Sequence, residues 1–379
     1  MKIFKKIKNQ LKIGYKKIIK PIFNIVTLRK FRYLFKYSLQ VKKNIKLIKN
    51  LEQSFPDNVV LIFQHQFFDK KGETCYNGGA ERYVIDLSNI LISMNYTPIL
   101  IQKGHKNLWD KIQKNTRIIG IPAKNNEVYL KSLRGFTKFK FTIYSGATHW
   151  NKMLHPNILI SHGITWDTPN KNVNIKEISN IFSDIDFFVS VDTNTISWLR
   201  TTFAQTMKEK DMCYIPNYVD LETYKPISRN NNRIKVIFPR RLSPERGYWL
   251  TSNIVSPIIT KYQNIDIDFV GFAHGSEIIN DVKKLIDKFP NRINHYLVEP
   301  ENMANIYQNA DIALIPTEYS EGTSLSCLEA QAAGNVVIST NIGGLPNLII
   351  DGYNGLLINP SEAELLVALD RVLRDTQLR

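Results

Sequence analysis

The feature that most restricts this chain is an alternation, run through twice, of short unbroken apolar segments with amphipathic ones. From Val59, candidate strands fall at 59–64, 97–102, 117–122, 141–145, 157–162, 186–191 and 213–217. Ala80, Tyr83, Val84, Leu87, Leu91 and Met94 share one helical face behind the first of them. Apolar runs without polar alternation, separated by helices, predict parallel strands covered on both faces. Segment 216–233, PNYVDLETYKPISRNNNR, is rich in turn residues and lacks apolar periodicity, as a linker does. The alternation then restarts, with strands expected at 234–239, 266–272, 294–298, 311–317 and 335–340 and helices at 249–262, 276–289, 302–310 and 324–333. Ser361 and Glu364 open a last helix as a capping box. The predicted class is α/β, with two doubly wound Rossmann-like domains, 57–215 and 234–379, facing each other across a cleft. Ligands of such sheets bind beyond the carboxyl ends of the strands.

Charge is distributed unevenly. The 379 residues contain 50 Lys+Arg against 34 Asp+Glu, a net +16. Residues 1–50 hold 14 Lys, 2 Arg and no acid, so they carry the whole excess and the body is neutral. Ile3, Ile7, Leu11, Tyr15, Ile18, Ile19, Ile22 and Val26 recur between these lysines at helical spacing. A basic amphipathic extension of this kind is expected to lie on an anionic membrane surface, at about 1 kcal/mol per basic residue near it. Packing against the body and nucleic-acid binding are the competing uses of such a segment; nucleic acid is not the expected partner. No run reaches the roughly 18–20 apolar residues that span a bilayer, and the N-terminus lacks the apolar core of a secretory signal.

Other chemistries find no support. Cys75, Cys213 and Cys327 are scattered, which predicts free thiols in a reducing compartment and no zinc site. No Gly-x-Gly-x-x-Gly, Gly-x4-Gly-Lys-Ser/Thr, His-Glu-x-x-His or Gly-x-Ser-x-Gly motif is present. Two Asp-x-Asp sequences, Asp184–Asp186 and Asp266–Asp268, fall where predicted strands begin, the wrong end for a site.

The most informative stretch is IALIPTEYSEGTSLSCLEAQAAGNVVISTNIGG. A strand delivers Glu321 and Gly322, then a helix capped by Thr323 or Ser324 runs to a stop at Gly334. Its free amides form an anion site at the sheet's carboxyl edge. Glu321 precedes the helix and Glu329 lies two turns in.

In this setting EGTSLSCLEAQAAGNVVISTNIGGLPNLIIDGYNGLLINP resembles the donor-binding region of glycosyltransferase family 4, retaining enzymes of the GT-B fold. GGAERYVIDLSNIL, RRLSPERG and CYIPNYVDLETYKP resemble further motifs of that family, in its order. The resemblance implies that Glu329 binds the ribose of a nucleoside diphosphate sugar and that Glu321 contacts the sugar. Gly322, Thr323, Ser324 and Leu325 would offer backbone amides. Arg241 and Arg246 would neutralise the diphosphate, and Gly78 and Gly79 would let backbone approach it. His162 would line the junction of donor and acceptor. Arg246 stands where the family usually has Lys, and Asn347 where an acid is commoner. Two guanidinium groups and a helix N-terminus suit a departing diphosphate without a metal.

The function expected is retaining transfer from a nucleoside diphosphate sugar to a glycan or lipid-linked acceptor, in cell-surface polysaccharide synthesis. No cofactor beyond that co-substrate is expected. The chain is expected in the cytoplasm, on the inner face of the cell membrane. A nucleotide-sugar epimerase or phosphorylase of the same architecture, and a non-catalytic membrane-binding protein, are the alternatives.

Overall fold

Val59–Gln64 is buried at every position, as an apolar run covered on both faces must be, and forms the central strand β1. The computed structural model describes residues 37–377, apart from 77, 148–149, 151, 170–173, 230–231 and 376. Helix α1 (37–51) precedes β1. There follow α2 (Gly79–Ser93), β2 (Thr97–Gly104), β3 (Trp109–Gln113), β4 (Thr116–Pro122) and α3 (Asn126–Ser132). Next come β5 (Phe141–Ser145), β6 (Asn157–Ser161), α4 (Ile175–Ser183), β7 (Phe187–Ser190), α5 (Thr193–Thr202), α6 (Ala204–Met207) and β8 (Asp211–Tyr214). Their sheet has the order β3-β4-β2-β1-β5-β6-β7-β8.

The second sheet is built from β9 (Ile234–Phe238), α7 (Tyr248–Lys261), β10 (Ile265–Val270), α8 (Ser276–Lys288), β11 (Ile293–Tyr296) and α9 (Met303–Gln308). It continues through β12 (Ile312–Ile315), α10 (Leu325–Ala332), β13 (Val336–Thr340), β14 (Leu356–Ile358) and α11 (Glu362–Arg374), in the order β11-β10-β9-β12-β13-β14. All its pairings are parallel, with Ile312 beside both Val236 and Val336. One core joins it to α7, α8 and α11; the other joins it to α9 and α10.

Two compact units divide the chain. One takes residues up to 61 with 66–76 and 89–140; the other takes 62–65, 77–88 and everything from 141. In the first unit, α1 buries Asn44 and Ile48, and the Asn44 amide donates to Pro122 O at 2.6 Å and Ser132 Oγ at 3.0 Å. The part of the expected 1–50 extension that is described, 37–50, is therefore a packed helix, because positions 37, 41, 44 and 48 turn to one face. Residues 1–36 lie outside the described residues.

Strand β3 was not anticipated. It pairs antiparallel with β4 through a turn in which Lys114 and Asn115 have φ of 44° and 63°, the left-handed pair that a tight hairpin needs. Its residues are mostly exposed, so no apolar run marks it. In the second unit, residues 219–229 of the 216–233 segment pack against the second sheet. Tyr224 is buried with its ring 6.0 Å from that of Tyr307, and Arg229 pairs with Asp311 at 3.1 Å.

The acids of the Asp-x-Asp sequences are engaged, Asp184, Asp186 and Asp266 at the amino ends of strands and Asp268 within β10. Asp186 meets His155 at 2.8 Å, and Asp266 meets Arg233 at 2.7 Å. Asp268 meets Lys235 at 3.1 Å. Among the described residues no helix is long and apolar enough to cross a membrane.

Candidate active site

Strand β12 ends at Ile315, and the chain then turns through Pro316–Ser324 before α10 begins. Ser324 caps α10, its Oγ accepting from Cys327 N at 3.4 Å. Thr323 takes another partner: its hydroxyl donates to Val191 O, at the end of β7. The two residues that could each have capped the helix thus divide the work. At the other end Gly334 adopts φ 79° and stops it.

Glu321 sits in this turn with its carboxylate almost out of solvent. Its Oε2 accepts from Arg240 Nη2 at 2.6 Å, Arg246 Nη1 at 2.7 Å and Thr317 Oγ1 at 2.9 Å. None of these donors reaches Oε1. Burial by itself raises the pKa of the carboxyl group, but Arg240 and then Arg246 outweigh it and hold the group below its ordinary value. The Arg240 side chain is 7% exposed and that of Glu321 10%. Burial weakens the hold of Arg240 on its proton despite the facing carboxylate. Its Nε is buried without a hydrogen-bond partner among the described residues.

Glu329 lies on the buried side of α10, and its Oε1 accepts from Arg82 Nη1 at 2.7 Å. Arg82 belongs to the first turn of α2, just past Gly78 and Gly79. A Cβ on Gly79 would stand 3.2 Å from Leu325 Cδ1, so the two helix starts abut with room for glycine. Burial pushes the Tyr224 phenol up to about 12, with Glu329 adding to it. The Tyr307 phenol is pushed up by the same two influences.

His162 follows β6. Its Nε2 lies 2.9 Å from Ser145 Oγ, and its ring meets that of Tyr83 edge-on at 4.9 Å. Burial lowers its pKa to about 4, so the imidazole is neutral at pH 7. Its carbonyl oxygen presses on the Glu321–Gly322 turn: a Cβ at Gly322 would lie 2.5 Å from His162 O. Only glycine fits there.

Glu321, Gly322, Thr323, Ser324, Leu325, Glu329, Arg246, His162 and Gly79 thus converge on the two ends of the turn before α10. Gly78 lies at the start of α2, where a Cβ would meet the Glu81 carboxylate at 2.5 Å. Arg241 is exposed, and no ion pair of it is found among the described residues; its charge acts on Glu81 and Glu245. The sequence reading missed Arg240, Thr317 and Arg82. Arg240 adjoins Arg241, and which of two neighbouring arginines turns inward is decided by backbone direction after β9. Arg82 carried one local signal, its place three residues after Gly79 on a helix. Asn347 bridges to the start of α5, accepting from Thr193 N at 3.1 Å and donating to Thr193 Oγ1 at 2.7 Å. An amide there uses both its donor and its acceptor.

Residues 221–379 match the family described as glycosyl transferases group 1. The lipopolysaccharide 1,2-N-acetylglucosaminetransferase of Salmonella typhimurium is 24% identical over 198 residues, 48% of this chain and 52% of that one. The match therefore spans about half the length of that relative. Among solved structures, the sucrose-phosphate synthase of Thermosynechococcus elongatus superposes with a TM-score of 0.67 at 16% identity, covering 85% of this chain and 91% of that one. Anabaena HepE, solved with UDP and glucose, gives 0.65 at 14%, covering 84% and 91%. The fold is the GT-B fold expected from the sequence, and residues 221–379 are similar to the group 1 glycosyl transferases.

Proposed function

We propose that this protein is a retaining glycosyltransferase, moving a sugar from a nucleoside diphosphate sugar to a glycan or lipid-linked acceptor in cell-surface polysaccharide synthesis. The observation that carries the reading is the cluster after β12: a buried Glu321 paired with Arg240 and Arg246, and Glu329 on the helix that begins there. Glu329 is assigned to the ribose and Oε1 of Glu321 to a sugar hydroxyl. Arg246, Arg241 and the amides of Gly322–Leu325 are assigned to the diphosphate, with Gly78 and Gly79 against it. The domains are assigned as 57–215 on the acceptor side and 234–379 on the donor side, with 216–233 as the linker. HepE, solved with UDP and glucose, and the glycan-building Salmonella relative support a nucleotide donor and a saccharide acceptor.

In the proposed reaction the bond from the anomeric carbon to the diphosphate oxygen breaks. The acceptor hydroxyl forms its new bond on the face just vacated, and its proton passes to the departing phosphate. Negative charge builds on phosphate oxygens, and guanidinium groups with helix amides stabilise it without reorganising. His162, neutral at physiological pH, lines the reacting side as a hydrogen-bonding group. Residues 1–36, with their lysines, are assigned to the inner face of the membrane.

A thermal-shift screen of UDP, GDP, ADP and their sugars tests the donor. At 100 times its dissociation constant a ligand stabilises by about 2.7 kcal/mol, a clear rise in Tm. No shift with any of them, at millimolar concentration, sinks the reading.

A further inference from the structure

We infer that Arg82 is a positioning residue of the donor site, holding one oxygen of Glu329 so that the carboxylate meets a ribose diol in a single orientation. The inference rests on the donor reading above. Glu329 is 5% exposed at the side chain, and a carboxylate so buried is stable only with a partner. Arg82 supplies it across 247 residues of chain.

The contact of the guanidinium is one-pronged, Nη1 to Oε1 at 2.7 Å. A pair closed on both oxygens would shut the carboxylate off; this one orients it. The rest of Arg82 reaches outward, 40% exposed, where Asp86 also acts on its charge. Burial works against the Arg82 proton, and Glu329, with smaller help from Tyr224 and Asp86, more than offsets it. The phenols of Tyr224 and Tyr307 also interact with this carboxylate, which helps burial to raise both of them. Arg82 also lies one turn beyond the Gly78–Gly79 turn, and Gly79 abuts Leu325. A shift of α2 is thereby passed to the carboxylate through a single hydrogen bond.

The ratio of affinities for a ribonucleoside diphosphate and its 2′-deoxy form isolates this role, because both carry the same phosphates and base. Titration calorimetry on the full chain would compare UDP, GDP and ADP with dUDP, dGDP and dADP for wild type, Arg82→Ala and Arg82→Lys. Wild type is expected to prefer the ribo form. That preference should shrink about tenfold in Arg82→Ala, the scale of one charge-assisted hydrogen bond, and recover in part in Arg82→Lys. An unchanged ratio in Arg82→Ala overturns the inference, even if both affinities fall, since that pattern belongs to general attraction for phosphate. A wild type that binds both forms equally overturns it too. A wild type that binds none of the six removes the donor reading and the inference with it. Unfolding curves of both variants show whether the fold persists, and Arg82→Lys keeps the test open if Arg82→Ala does not fold.

Discussion

Glu321 keeps its charge only because two guanidinium groups outweigh its burial, and each of the three side chains can be tested for that debt. Arg240→Ala leaves a nearly buried carboxylate with one guanidinium and should destabilise the protein by about 3 kcal/mol in urea unfolding, more than Arg240→Lys. A loss under 1 kcal/mol would show that Arg246 suffices. Glu321 has a folded pKa below its ordinary 4.5, so its contribution is complete above that pH and is lost as pH falls through the folded value. Glu321→Gln should therefore be less stable at pH 7 and show a flatter decline between about pH 5 and 3. His162 runs by a different route to the same sign. Its folded pKa is about 4 against 6.5, so the unfolded chain takes up the proton first and stability declines between those values. Urea midpoints at pH 7 and 5 should fall further for wild type than for His162→Gln; equal falls would count against a buried neutral imidazole.

At the scale of elements, the turn and cap before α10 set where these groups stand. Ser324→Ala removes the cap and should cost about 1 kcal/mol, read by chemical unfolding. Gly322→Ala forces a methyl group towards His162 O and should cost about 1–3 kcal/mol; an unaltered midpoint would mean that the turn has slack. Elements of this kind were legible in the sequence where one local rule fixed them. The run Val59–Gln64 could only be a covered strand, and Ser324 and Gly334 bracket a helix by capping chemistry alone. Strand β3 escaped because its exposed residues leave no apolar signature, only a hairpin turn at Lys114–Asn115. The Arg82–Glu329 pair escaped for another reason: nothing local relates two residues 247 apart, and only the folded chain brings them together. Arg240 was hidden by its neighbour, since composition cannot say which arginine of a pair faces inward.

For the whole molecule, charge and fold are separable. The body is neutral, and residues 1–50 hold the +16. The full chain should therefore cosediment with anionic vesicles at low salt and release as ionic strength rises, as screening requires. Equal binding to neutral vesicles would remove the membrane assignment. The stretch 216–233 has a consequence for anyone who dissects or recombines this protein. Tyr224 is a plug in the hydrophobic interior of the second sheet, beside Tyr307, and Val219 packs on the same cluster. A chimera spliced at the visually obvious Asn-rich run would carry the plug away with the wrong parent and leave an aromatic-sized hole. Swaps of the second sheet between relatives should cut upstream of Val219.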